Sequence, residues 1–428
     1  MKHSILLLLQ LATFINLSAA PVFYTSKDGL PHNYVSGIAQ DTLGFIWLAT
    51  GDGLAQFDGY TFKTYKSYYG NNNGLGNYAA TAIFTDRQGS LWVGTQTTLE
   101  VYDANTDSFK LVRLTKENSD VFVQNISQDA NNNIWVATKG QGLFKVNPKN
   151  GEVVNFNLNP AHRLGNYVFC TATDMQNNVW AGSETGLYSL SAQNPDSFFL
   201  NSITSKLKDQ RVKCILAEGE NLWIGTLTEG AYRYSTTSDK LEKVTLVAGK
   251  DKENVVENVR QICRYGDSVI ICTYGLGVYV VNKSQNKASP LFKGPMAESH
   301  KYINNFFVSR NNLFWAATKN QGIVKFDPNQ KEFHTINNIN GRFSNIVACF
   351  LPEGNHNVLV GTEGGGIYKY NLINNEISPV PDYDLLKNTL VTKIMKDKMG
   401  RYWFGTDGQG VFLYNNGSVK NIKGFFPF

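Results

Sequence analysis

The sequence predicts an all-β propeller, and two observations predict it: one five-residue phrase recurs along nearly the whole chain, and each copy divides into four short strand-like runs. The phrase reads IWLAT at Trp47, LWVGT at Trp92, IWVAT at Trp135, VWAGS at Trp180, LWIGT at Trp223, FWAAT at Trp315 and YWFGT at Trp403, which accounts for every tryptophan in the chain. Two further copies carry an aliphatic residue in the Trp place, Ile270 in VIICT and Leu359 in VLVGT. The closing residues are Thr50, Thr95, Thr138, Ser183, Thr226, Thr273, Thr318, Thr362 and Thr406, so successive copies stand 45, 43, 45, 43, 47, 45, 44 and 44 residues apart. A period in the mid-forties with four strands per repeat is that of a propeller blade, and nine copies predict nine blades.

The first copy shows how each element follows from its residues. Val35 to Ala39 alternate as a first strand, Asp41 to Gly44 make a turn, and Phe45 to Thr50 form a second strand. The turn Gly51-Asp52-Gly53 leads to a third strand, Leu54 to Phe57, and Asp58-Gly59 to a fourth around Phe62 to Tyr65. In a blade the first strand lies nearest the axis and the fourth at the rim. A glycine precedes the third strand in eight copies, at Gly53, Gly142, Gly186, Gly230, Gly277, Gly322, Gly366 and Gly410, as a turn needing positive φ requires; Thr98 is the exception. The Trp position reads as packing between blades, since identical spacing in every copy is what core geometry demands. Asp41, Asp86, Asp129, Asp174 and Asp397 recur at one place in the repeat, which favours turn capping over catalysis.

Single propellers usually close with four to eight blades. The preferred parse closes a seven-bladed ring over residues 21–337 and leaves residues 338–428 as two further blades, the start of a second propeller. Val22 to Thr25 then pair into the last blade and cover an open edge. An eight-bladed ring with one stray unit and a nine-bladed ring are the alternatives.

Residues 1–20 carry Lys2, an apolar stretch from Ile5 to Ile15, and Ser18-Ala19-Ala20, the pattern of a signal peptide cleaved near Ala20, which predicts a periplasmic or secreted protein. Gln10 and Thr13 interrupt a run already short of the ~20 apolar residues of a membrane span. The net charge of +5 arises without a basic run, so no nucleic-acid partner is expected. Five cysteines lack metal-type spacing and cannot all pair; Cys263 and Cys272 flank a hairpin turn at Gly266-Asp267, a placement open to one cross-strand disulfide.

No catalytic constellation stands out. The six histidines are scattered, there is no HExxH, GxSxG or P-loop pattern, and Gly364-Gly365-Gly366 occupies the repeat's turn. Neither catalytic residues, metal ligands nor a cofactor are predicted. Positions constant across blades are scaffold, whereas positions that vary on one face can carry recognition. The loop after the second strand offers Lys139, Glu184, Tyr274 and Lys319; the loop leading into the first strand offers Asn33, Tyr34, Tyr78, Asn166, Tyr167, Arg211 and Asn258. Both loops are expected on one face around the axis, and Asn, Tyr and Arg suit sugars because they combine hydrogen bonding with apolar faces.

The stretch FYTSKDGLPHNYVSGIAQDTLGFIWLATGDGLAQFDGYTF, with its recurring D-x-x-G-x-(I/L)-W-(V/I)-(G/A)-T-x-x-G-L, closely resembles the two-component regulator propeller repeat, over nearly all of the chain beyond residue 20. The resemblance implies the extracytoplasmic sensor region of hybrid histidine kinases or diguanylate cyclases, a binding protein rather than an enzyme, with an oligosaccharide as ligand. Family sensors carry two seven-bladed propellers, a β-sandwich, one membrane helix and a kinase. Up to Phe428 no sandwich, membrane helix or kinase motif occurs. The expectation is therefore a truncated sensor, or a free-standing propeller acting through a histidine kinase or cyclase output module on another chain, with a homodimer among the arrangements open to it. A protein-interaction scaffold and a propeller lyase or hydrolase are the rival readings.

Overall fold

The recurring phrase forms the second strand of every sheet in the computed structural model of the protein, which describes residues 21–67, 74–117, 119–159, 163–207, 210–247, 258–292, 301–328, 346–374 and 376–422. The expected signal peptide lies outside the described residues. Nine antiparallel sheets follow one another, and blade one is typical: Val35–Gln40, Ile46–Thr50, Gly53–Phe57 and Phe62–Tyr65, each strand bonded to the next. Blade six gains a fifth strand at its rim, Thr245–Leu246, which runs parallel to Lys287–Pro290.

The chain divides into two compact units, residues 1–332 and 333–428. In the first unit seven blades close a ring: their first strands neighbour one another in a cycle that returns from Ile303–Val308 to Val35–Gln40. The seventh blade takes its fourth strand from the chain start, where Val22, Phe23 and Tyr24 pair with Lys325, Val324 and Ile323. The Tyr24 ring lies 4.9 Å from Phe57 of blade one and 6.4 Å from Trp315 of blade seven, so the closing strand is also packed from both sides. The second unit holds two blades, with first strands Val347–Glu353 and Val391–Lys396.

The core sits between blades. Trp47 packs with Leu91, Val93 and Phe109 of blade two, Trp92 with Ile134 and Phe144 of blade three, Trp135 with Val179 and Tyr188 of blade four, and Trp180 with Leu222 and Ile224 of blade five. Trp223, Ile270 and Trp315 continue the series into blades six, seven and one. Burying one such side chain contributes roughly 2–3 kcal/mol by area.

The recurrent aspartates are joined to these rings. One carboxylate oxygen of Asp129 accepts the backbone N–H of Asn131 and Asn133, both at 2.9 Å, and the other accepts Trp135 Nε1–H at 2.9 Å. The same bond links Asp41 to Trp47, Asp86 to Trp92, Asp174 to Trp180 and Asp397 to Trp403 at 2.7, 2.8, 2.9 and 2.9 Å. The eight glycines before third strands all have φ between 76° and 143°. At Gly142 a Cβ would collide with the carbonyl oxygen of Phe156. All five cysteines are free thiols: Cys263 lies opposite Ile270 and Cys272 opposite Gln261, so the cross-strand disulfide left open by their spacing is not formed.

Candidate ligand-binding face

Backbone hydrogen bonds bring the two variable loops to one end of the first ring. The residue after the second strand donates its N–H to the carbonyl of the residue leading into the first strand: Gly51 to Tyr34, Lys139 to Phe122, Glu184 to Tyr167, Leu227 to Arg211, Tyr274 to Asn258 and Lys319 to Tyr302, over 2.8–3.2 Å. Six of the seven blades of the ring repeat this clasp. Tyr167 also bridges Lys139 of the preceding blade, and Tyr302 bridges Tyr274. Tyr34, Lys139, Tyr167, Glu184, Arg211, Asn258, Tyr274 and Lys319 therefore share this end.

The remaining predicted residues are placed differently. Asn33 serves the closure, accepting Ser26 N–H at its side chain and Gly322 N–H at its carbonyl. Asn166 accepts Leu158 N–H at its side chain and the N–H of Gly140 and Gly142 at its carbonyl; it lines a separate cavity of about 490 Å³ with Leu114, Lys116, Gln141 and Asn155. Tyr78 is 57% exposed and takes no part in the clasp.

A second set of residues lies inside this ring of loops. Every first strand is bulged just after its buried opening residue, where two residues oppose one on the second strand. The extra residues are Ser36, Thr81, Gln124, Phe169, Lys213, Arg260 and Asn304, all partly open to solvent on the innermost strand. Three of them tie the ring: Ser36 donates to Ala80 O at 2.9 Å, Thr81 to Val123 O at 2.7 Å, and Asn304 to Val35 O at 3.2 Å, each on the next blade.

In blades four to six the bulge residues have different company. Lys213 Nζ lies 4.2 Å above the Phe169 ring, and the Arg260 guanidinium lies 4.8 Å from the Tyr274 ring. Lys319 Nζ stands 5.1 Å from the same Tyr274 ring, whose other neighbour is Tyr302 at 4.9 Å. Burial, and then the positive charge of Arg260, hold the Lys213 ammonium below its ordinary pKa. Among the described residues Arg260 Nε and Asn258 Oδ1 are buried without a hydrogen-bond partner. Sequence reading passed over Phe169, Lys213 and Arg260. The signal was there: the residue after the invariant aliphatic opener changes from blade to blade. Strand alternation alone does not show that a bulge turns it toward the axis.

Residues 29–52 and 74–97 match the family described as Two component regulator propeller. The match falls on blades one and two. A 44-residue stretch, 10% of the chain, is 48% identical to histidine kinase P4 of Formosa agariphila, of which it covers 3%. Among solved structures, the extracellular domain assigned to the hybrid two component system BT3049 of B. thetaiotaomicron superposes with a TM-score of 0.63 at 24% identity, covering 92% of this chain and 53% of that one. The extracellular domain assigned to the one component system BT4673 of the same organism gives a TM-score of 0.57 at 18% identity, covering 92% and 52%. These likenesses show the propeller fold, and the chain spans about half the length of the solved structures it matches. No helix among the described residues is long and apolar enough to cross a membrane.

Proposed function

We propose that this propeller is the ligand-binding region of an extracytoplasmic two-component sensor, exported to the periplasm or beyond, that it recognises an oligosaccharide, and that it passes occupancy to a histidine kinase or cyclase module. The observation that carries the reading is the clasped end of the ring. A constant hydrogen-bond frame there holds side chains that vary among the blades, among them Tyr34, Tyr167 and Tyr274 beside Lys139, Glu184 and Lys319. Aromatic faces and charged hydrogen-bonding groups gathered at one end of the ring are what a hydroxyl-rich ligand with apolar faces needs. The structural neighbours, described as extracellular domains of signalling systems, support the same assignment. We read the face as binding rather than catalytic: among the described residues no three His, Cys, Asp or Glu side chains cluster as a metal site, and the recurrent aspartates are held by tryptophan and backbone N–H groups.

The test is thermal unfolding of the mature chain, from Pro21, against a panel of neutral and acidic oligosaccharides. A ligand at a hundred times its dissociation constant adds about 2.7 kcal/mol. The reading predicts a saturable shift with one glycan class that Tyr34→Ala or Tyr167→Ala diminishes. A cooperative melt that no glycan moves would reject the carbohydrate assignment and favour a protein partner.

A further inference from the structure

Lys213 and Arg260 are the bulge residues of adjacent blades, and among the described residues neither makes a hydrogen bond or an ion pair. Each is instead packed against a ring, which fixes the cation while leaving its N–H donors unspent. Among the described residues no carboxylate forms an ion pair with either cation. Glu184 acts on Lys213 more weakly than burial and Arg260 do, and burial pushes the Cys170 thiol up to about 12, so that neighbour is neutral. Two partly desolvated like charges raise each other's energy, and an uncompensated buried charge destabilises a fold. In blades one, two and seven the same position carries Ser36, Thr81 and Asn304, whose side chains are consumed in ties to the next blade, and in blades three and four it carries the uncharged Gln124 and Phe169. The unspent pair therefore has no structural purpose that the fold displays, and it makes a site of positive potential beside the axis.

We propose that Lys213 and Arg260 form an oxyanion site that takes a carboxylate or sulfate group carried by the ligand, with Lys319 adding charge beyond the Tyr274 ring. The inference rests on the reading of this face as the oligosaccharide site and narrows the ligand to an acidic one. The planar guanidinium offers two parallel N–H groups to such an anion, and the ammonium offers a third contact. Asn258 Oδ1, a buried acceptor two residues from Arg260, is left for a ligand hydroxyl.

The experiment is calorimetric titration of the mature chain at low salt with trigalacturonate, a κ-carrageenan tetrasaccharide, maltotriose and sodium sulfate. Wild type is compared with Lys213→Met and Arg260→Gln. Loss of a charge-assisted contact is expected to weaken an acidic probe about tenfold, with no change for maltotriose. Uronate and sulfate sources are separated by which acidic probe responds. Ligand-free Lys213→Met is expected to melt above wild type, because it removes an uncompensated cation. Acidic probes and sulfate that fail to bind, or that bind the variants as well as wild type, overturn the site. If maltotriose binds and the variants leave it unchanged while the acidic probes do not bind, the anion site falls and the sensor reading stands. If sulfate alone binds, in a Lys213-dependent way, the anion site stands and the oligosaccharide reading falls.

Discussion

Trp135 donates its indole N–H to Asp129, six residues earlier, over 2.9 Å, and the pair recurs wherever both residues are present at that spacing. Blades six and eight carry Ile270 and Leu359 in the Trp place, and six residues earlier stand Arg264 and Glu353 rather than Asp. In blade five Glu218 reaches Trp223 from five residues away at 3.2 Å. In blade seven Ser309 occupies the Asp place, and among the described residues Trp315 Nε1 is buried without a partner.

That contrast gives the first prediction. Asp129→Ala removes an acceptor that also holds the Asn131 and Asn133 backbone, and it is expected to cost about 3 kcal/mol in denaturant unfolding. Trp135→Phe should cost about 1–2 kcal/mol more than Trp315→Phe, because only the first abandons a hydrogen bond. Ser309→Asp should stabilise by about 1 kcal/mol. Equal effects of the two Trp substitutions would refute the pairing argument.

Ring closure gives the second. Tyr24→Ala takes a ring from between Phe57 and Trp315, and a loss of about 2 kcal/mol is expected. Limited proteolysis should then open the contact between blades one and seven first. Unchanged stability would mean that the chain start does not close the ring.

The third concerns the glycines before third strands. Gly142 has φ 79°, and a Cβ there meets the Phe156 carbonyl; Gly151 has φ 73° with open space around it. Gly142→Ala should therefore destabilise by several-fold more than Gly151→Ala, which carries only backbone strain of about 1–2 kcal/mol.

The fourth concerns pH in the second unit. The Trp403 indole N–H, then Arg401 and two backbone N–H groups, hold the Asp397 carboxyl well below the usual carboxylate range. A carboxylate whose folded pKa is depressed contributes stability above its unfolded value, about 4, and loses it as pH falls toward the folded value. Asp397→Asn should remove that acid-dependent part of the second unit's unfolding and leave the pH dependence near neutrality unchanged, because the carboxyl is ionised in both states there. An identical acid profile in the variant would exclude Asp397 as its source.

Much of this architecture is legible in the repeat, because Trp, Gly and Asp each answer a constraint that recurs in most blades. The closing strand at Val22 was legible because a ring cannot leave an edge open. The proposed binding face was legible only in part. Loop positions such as Tyr167 and Tyr274 could be read from variation, but Asn33 and Asn166 are drawn into the scaffold through contacts distant in sequence. Lys213 and Arg260 were passed over because a bulge inserts one residue into the strand's alternation, and its direction depends on the neighbouring blade.

The most direct test of the account is amide hydrogen exchange with and without an oligosaccharide that shifts the melt. The account predicts added protection at Glu184, Tyr274 and Lys319 and along the opening of the first strands Val168–Thr173, Val212–Glu218 and Val259–Tyr265, with the rim strand Asn194–Leu200 unchanged. Protection confined to the rim, or spread evenly over all seven blades, would contradict it.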